Sequence, residues 1–94
     1  MNIARPVNGF HVREAKIVTQ QLEDARSQCP WFESAYLNVL SRLKLAGHVS
    51  GRALADQASR VFVEADPQTG ENRLAISYHV LGDTLTILGV LIIL

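Results

Sequence analysis

The sequence predicts a single α+β domain: two N-terminal amphipathic helices packed on a C-terminal antiparallel sheet of three to four strands. Three observations carry this. Apolar residues recur at steps of three and four from Val12 to Leu43, the spacing that aligns one face of a helix. After Ser59 the period falls to two, as a strand with one buried face requires. A Gly82-Asp83 pair then divides the last apolar stretch, where a two-residue hairpin turn with Gly first is expected. A chain of 94 residues suits one core, burying roughly two-thirds of the surface its unfolded form exposes.

Taken in order, residues 1–7 are read as a short first strand. Residues 12–29 form the first helix, with Val12, Ala15, Val18, Leu22, Ala25 and Cys29 on its apolar stripe and Arg13, Glu14, Lys16, Gln20, Glu23, Asp24 and Arg26 facing water. Pro30 suits the first position of a second helix, where its missing N–H costs nothing. That helix buries Phe32, Ala35, Tyr36, Val39, Leu40 and Leu43 and stops at Gly47. Trp31 and Tyr36 read as packing residues. Residues 48–59 read as a loop with one helical turn, with a short helix capped by Ser50 as the alternative. Strands follow at 60–64, 73–81 and 84–94, and a polar loop holding Pro67 and Gly70 joins the first two.

Composition excludes several functions. Apolar residues make up 48% and charged residues 19%, a balance that leaves apolar surface beyond what one core uses. Nine Lys and Arg offset nine Asp and Glu, so no long-range positive field draws the chain onto nucleic acid, and direct nucleic-acid binding is not expected. Cys29 is the single cysteine; it admits no internal disulfide and no thiolate zinc site, reads as a small core residue, and fits a reducing, cytoplasmic setting. The first ten residues lack the apolar run of a signal peptide. From Leu74 to Leu94 the only charge is Asp83, yet neither half of that stretch approaches the ~20 residues of a membrane helix, so no membrane association is expected. His11 and His48 stand at no metal-ligand spacing, and Gly47 and Gly51 lack the further glycines and Lys of a phosphate loop. Neither a metal nor a cofactor is expected.

Strand register points to a surface. If Leu81 pairs with Thr84, then His79 faces Thr86, Ser77 faces Leu88, Ala75 faces Val90 and Arg73 faces Ile92. Leu74, Ile76, Tyr78, Val80, Leu85, Ile87 and Leu91 then face the helices, joined by Val61 and Val63 if Glu64 pairs with Arg73. The outer face carries Phe62, Leu88, Val90 and Ile92, flanked by Arg60, Arg73 and His79. A water-facing antiparallel sheet ordinarily shows polar residues there. Such a patch of a few hundred Å² marks a partner-binding site, with a second copy of the chain or an internal cover as the other occupants.

The element order, with Gly51-Arg52-Ala53-Leu54 after the second helix and the run from Ile76 through Gly82-Asp83 to Ile87-Leu88-Gly89-Val90, resembles the ParE/RelE toxin superfamily of bacterial toxin–antitoxin modules. The word-level match covers about the last twenty residues. The resemblance implies two helices packed on a sheet, a cognate antitoxin laid over the toxin, and either DNA gyrase poisoning or ribosome-dependent mRNA cleavage. Two departures weigh against the nuclease: the last strand ends Leu91-Ile92-Ile93-Leu94 where many such toxins carry His, Arg or Tyr, and the chain is neutral where ribosome-targeting members are usually basic.

Cleaving RNA from its own 2′-hydroxyl needs a proton acceptor, a proton donor and cations around one phosphate. Arg73 and His79 share a face but stand about 20 Å apart along the strand, and Tyr78 points the other way. Arg60, Ser77 and His79 remain as the only candidate cluster, without a second cation or a well-placed second acid or base, and the favoured reading of them is an edge histidine beside solvated charges. The leading expectation is therefore a ParE/RelE-like protein that acts by binding a protein such as gyrase or an antitoxin. A small inhibitor of a host enzyme complex, such as one encoded by a phage, comes second, and a ribosome-dependent endonuclease third.

Overall fold

The computed structural model describes residues 9–54 and 58–93. In chain order the elements are β1 (His11–Glu14), α1 (Val18–Gln28), α2 (Phe32–Ala46), β2 (Arg52–Ala53), β3 (Ser59–Ala65), β4 (Asn72–Leu81) and β5 (Thr84–Ile92). The strands form one sheet of order β1-β5-β4-β3-β2. Every pairing is antiparallel except that of β1, which lies parallel to β5. The α+β class is as expected, with both helices ahead of the strands that make most of the sheet and with one strand beyond the expected three to four.

The extra strands arise where helix and loop were expected. Val12 and Ala15 do pack against the core, but from β1 and the residue after it, not from a helix. The β1 segment pairs with Thr84 to Ile87, and its flanks close with His11 N–H donating to Asp83 O (2.8 Å) and Ala15 N–H to Ile87 O (2.9 Å). That ladder satisfies backbone donors that a helix start leaves unpaired and covers part of a sheet edge. The first strand expected over residues 1–7 lies outside the described residues. Within 48–59, Ser50 Oγ donates back to Ala46 O (2.7 Å) and caps no new helix. Arg52 and Ala53 instead pair with Val61 and Arg60.

The second helix begins two residues after Pro30, following a turn in which Phe32 N–H donates to Cys29 O (3.1 Å). It ends at Gly47 for a reason of space. Gly47 keeps an ordinary helical φ of −60°, but a Cβ there would stand 2.3 Å from Leu85 Cδ1 and 2.6 Å from Leu43 O. The helix end can therefore lie directly on β5.

Both helices pack on one face of the sheet. Val18, Leu22, Phe32, Tyr36, Val39 and Leu43 meet Leu74, Ile76, Tyr78, Val80, Leu85 and Ile87, all buried. Phe32 and Tyr36 stack with ring centroids 5.4 Å apart. Each such apolar side chain contributes about 1.5–3 kcal/mol through burial, so this face holds the domain together. Among the described residues no helix is long and apolar enough to cross a membrane.

Candidate functional site: the outer face of the sheet

The β4–β5 hairpin follows the expected register for half its length. Leu81 pairs with Thr84, His79 with Thr86 and Tyr78 with Ile87, and Gly82 takes the positive φ (60°) that the first turn position requires. Then the register slips. Ser77 pairs with Gly89, Ile76 with Val90 and Leu74 with Ile92, leaving Leu88 as the extra residue of a β-bulge. One added residue sends every later side chain of β5 to the opposite face. The β3–β4 ladder also runs one residue away from expectation, with Glu64 opposite Leu74, Phe62 opposite Ile76 and Arg60 opposite Tyr78, and shifts again between Glu64 and Ala65.

These shifts correct the expected patch. Phe62, Val90 and Ile92 face the helices, half-buried against the core. Val61, Val63 and Leu91, expected inside, stand on the outer face, where Val63 is 43% and Leu91 64% exposed. Leu88 stays exposed, as expected, at the bulge.

Neither arginine flanks an outer patch as expected. Arg60 lies on the helix side with Tyr78, its Nε donating to Ser50 O (2.5 Å) and its Nη2 to Gly51 O (3.3 Å). The Tyr78 hydroxyl shares its proton between Gly47 O and Ser50 O, each at 2.8 Å. Together they tie the end of α2 to the sheet. Burial holds the Tyr78 phenol above its usual pKa, against the lowering effect of Arg60. Arg73 donates to Glu64 Oε1 (2.7 Å) and lies 4.6 Å above the Trp31 ring, a contact with cation–π character. Its charge-assisted bond to Glu64 raises its pKa, with Asp66 a more distant contributor. Trp31 and Tyr36 serve as packing residues: the Tyr36 hydroxyl donates to Glu14 Oε2 (2.7 Å).

The three residues weighed for a nuclease site are not brought together. Ser77 and His79 share the outer face, but Arg60 projects from the opposite face of the sheet because its partner is Tyr78 and not Ser77. Among the described residues no group of three or more His, Cys, Asp and Glu side chains gathers as metal ligands would. A concavity of about 530 Å³ near the β3–β4 loop is lined by Cys29, Trp31, Asp66, Thr69, Glu71 and Arg73. Its cation is already paired with Glu64.

The outer face divides into two halves. Towards the far end of β5, Val61, Ala75 and Leu91 surround Ser77 and Gly89 in a shallow depression of about 310 Å³, with Gln21 at its rim. Gly89 lets the floor stay low, since a Cβ there would come within 2.8 Å of Ser77 Oγ. Gln21 Oε1 accepts from Val90 N–H (2.8 Å), sealing the β5 edge where β1 has ended. Towards the hairpin turn, one cross-strand row runs Arg13, Thr86, His79, Ser59. His11, opposite Thr84, stands one row nearer the turn beside the exposed Leu81, whereas Arg52, opposite Val61, stands at the edge of the depression. Along the described strands no carboxylate occupies an outer-face position; Glu14 turns inward to Tyr36, and Asp83 sits in the turn beyond.

No protein-family model, no curated protein and no solved structure matches the chain. The site therefore rests on its own geometry. Sequence reasoning missed Val61, Val63, Gly89 and Leu91 as outer-face residues, and missed the cations Arg13 and Arg52. One signal was present: an isolated glycine within a strand pattern, here Gly89, marks a bulge or a close approach.

Proposed function

We propose that this chain acts by binding another protein through the outer face of its sheet, as a ParE/RelE-like toxin that blocks a target such as DNA gyrase or as a non-catalytic relative of such toxins. The observation that carries the reading is the apolar half of that face, around Val61, Val63, Ala75 and Leu91. It is left uncovered by the described helices, which pack on the other side. A sheet face turned to water is ordinarily polar, and apolar surface left there is most economically explained by an occupant. The order of elements supports the family part of the reading, since two helices on one face of a sheet is what the resemblance implies. With Arg60 turned away from Ser77 and His79, the chemistry of this face is recognition.

The test is expression of the wild-type chain and the Leu91→Glu variant in a bacterium, with gyrase supercoiling assayed against both purified proteins. Growth arrest and gyrase inhibition by the wild type, both lost in a variant with unchanged melting temperature, are the expected result. Arrest that survives Leu91→Glu but disappears in His79→Ala, accompanied by cleaved mRNA, would overturn the reading in favour of a nuclease. Leu91-dependent blockade of a different host complex, with gyrase untouched, would keep the binding face but replace the toxin by an inhibitor.

A further inference from the structure

We infer that the outward side of α2 is a second binding surface, on the opposite side of the sheet from the face described above, and that it docks on an anionic lipid surface. The inference goes beyond the protein-binding reading and does not rest on it. No spanning segment is needed, only an interfacial one. Sequence is the first argument. From Ser34 to Gly51 the chain holds no Asp or Glu, but it holds Arg42 and Lys44. Three large apolar residues of that stretch stand in water along and just past α2: Leu37 is 53%, Leu45 55% and Val49 66% exposed. The core takes the other stripe of the helix, through Phe32, Tyr36, Val39 and Leu43.

Geometry arranges these residues as an interfacial helix requires. Leu37, Ser41 and Leu45 follow at steps of four, so the two leucines stand within about 40° of Ser41 around the axis, on the side away from the core. Lys44 lies about 60° to one side of that line and Arg42 about 100° to the other. A helix lying flat on a membrane buries such an apolar line at the headgroup boundary while long cationic side chains on its flanks reach the phosphates. Both cations are exposed, and neither has an ion-pair partner among the described residues. The carboxylates of the helix layer lie elsewhere. Glu33 is held by Arg26 and Glu14 accepts from Tyr36, while Glu23 and Asp24 lie within one turn of Arg26, at the end where α1 meets α2. Leu45 stands about 18 Å along α2 from Glu33, beyond the ~8 Å over which exposed charges act at physiological salt. Other occupants fit less well. The leucines stand two turns apart with Ser41 between them, and neither depression described above includes a residue of this stretch, so no contiguous patch or groove awaits a protein. A lipid boundary takes each side chain singly. A second copy presenting the same face brings cations to cations.

The experiment is co-sedimentation of the full chain with vesicles of phosphatidylcholine alone and of phosphatidylcholine with about one-third phosphatidylglycerol, at low and at physiological salt. Binding to the mixed vesicles is expected, weakened by salt and about tenfold or more weaker to phosphatidylcholine alone. The Leu37→Ser/Leu45→Ser pair is expected to weaken it about tenfold or more. Arg42→Ala and Lys44→Ala are each expected to weaken it about fivefold. All four positions are exposed, and unchanged urea midpoints show that the variants keep their fold. Leu91→Glu, on the far side of the sheet, is expected to leave vesicle binding unchanged, so this inference and the protein-binding reading fail separately. No sedimentation with mixed vesicles at low salt would overturn the inference, as would equal binding to phosphatidylcholine alone or indifference to the leucine and cation variants. Leu45-dependent self-association in sedimentation velocity, or Leu45-dependent binding to soluble polyglutamate in place of vesicle binding, would also overturn it, making the occupant a second copy or an acidic protein.

Discussion

The two faces of the sheet are built from alternate residues of the same strands, yet they differ in what covers them. The inner face carries Leu74, Ile76, Tyr78, Val80, Leu85 and Ile87, all essentially inaccessible, and the polar ends of Tyr78 and Arg60 beside them are bonded. Tyr78 and Arg60 between them reach three carbonyls, those of Gly47, Ser50 and Gly51, with Ser50 O shared. The outer face carries Val61, Val63, Ala75 and Leu91 beside Arg13, His79 and Arg52, with small residues at its centre. Both faces are apolar in part, but among the described residues only the inner one is covered by helices. What separates the two faces is therefore coverage by the helices, not hydrophobicity.

The sharpest way to break the comparison is to place the same charge on adjacent residues of β5. Val90→Glu sets a carboxylate against the core and is expected to lower stability by about 2 kcal/mol or more. Leu91→Glu points to water and is expected to change it by less than about 0.5 kcal/mol. Urea unfolding of the two variants checks this, and the reverse order would show that β5 has no bulge at Leu88. Next in size is an alkaline effect on the inner face. Burial and the bond to Glu14 push the Tyr36 phenol well above its usual range, and burial raises Tyr78 as well. A raised pKa means that the folded state keeps a proton which the unfolded state releases. The stabilisation is complete below about pH 10 and declines above it by about 1.4 kcal/mol per pH unit for each phenol. Tyr36→Phe is expected to remove about half of that slope in unfolding measured across alkaline pH, and an unchanged slope would place the proton release elsewhere. The smallest effect sharpens the border between the faces. Gln21→Ala strips the acceptor from Val90 N–H and is expected to cost about 0.5–1.5 kcal/mol, with faster amide exchange at Val90.

Much of the inner face was legible in the sequence. The alternation from Leu74 to Val80 and the Gly82-Asp83 turn are local signals, and the helical stripe from Phe32 to Leu43 is nearly as local. The first helix was read too long because Val12 and Ala15 suit the buried side of either a helix or a strand. The choice between them was made by the open edge of β5, some seventy residues further along the chain. The outer face was less legible. An apolar surface there was expected, but Phe62, Val90 and Ile92 were assigned to it in place of Val61, Val63 and Leu91. Ladder pairing decides that assignment, and a single extra residue inverts it.

By itself, then, the sequence determined the class of fold, the turn that starts the last hairpin, and the presence of more apolar strand surface than two helices can cover. These follow from side-chain period and from the backbone demands of Gly82 and Asp83, which are properties of neighbouring residues. Only the tertiary structure decided which side chains that surface presents, where β1 lies, and that Arg60 stands apart from Ser77 and His79. Each depends on register between strands distant in sequence. Register is a sum over many small pairings and the shifts at Leu88 and after Glu64, and no short stretch of the chain contains enough of them to set it.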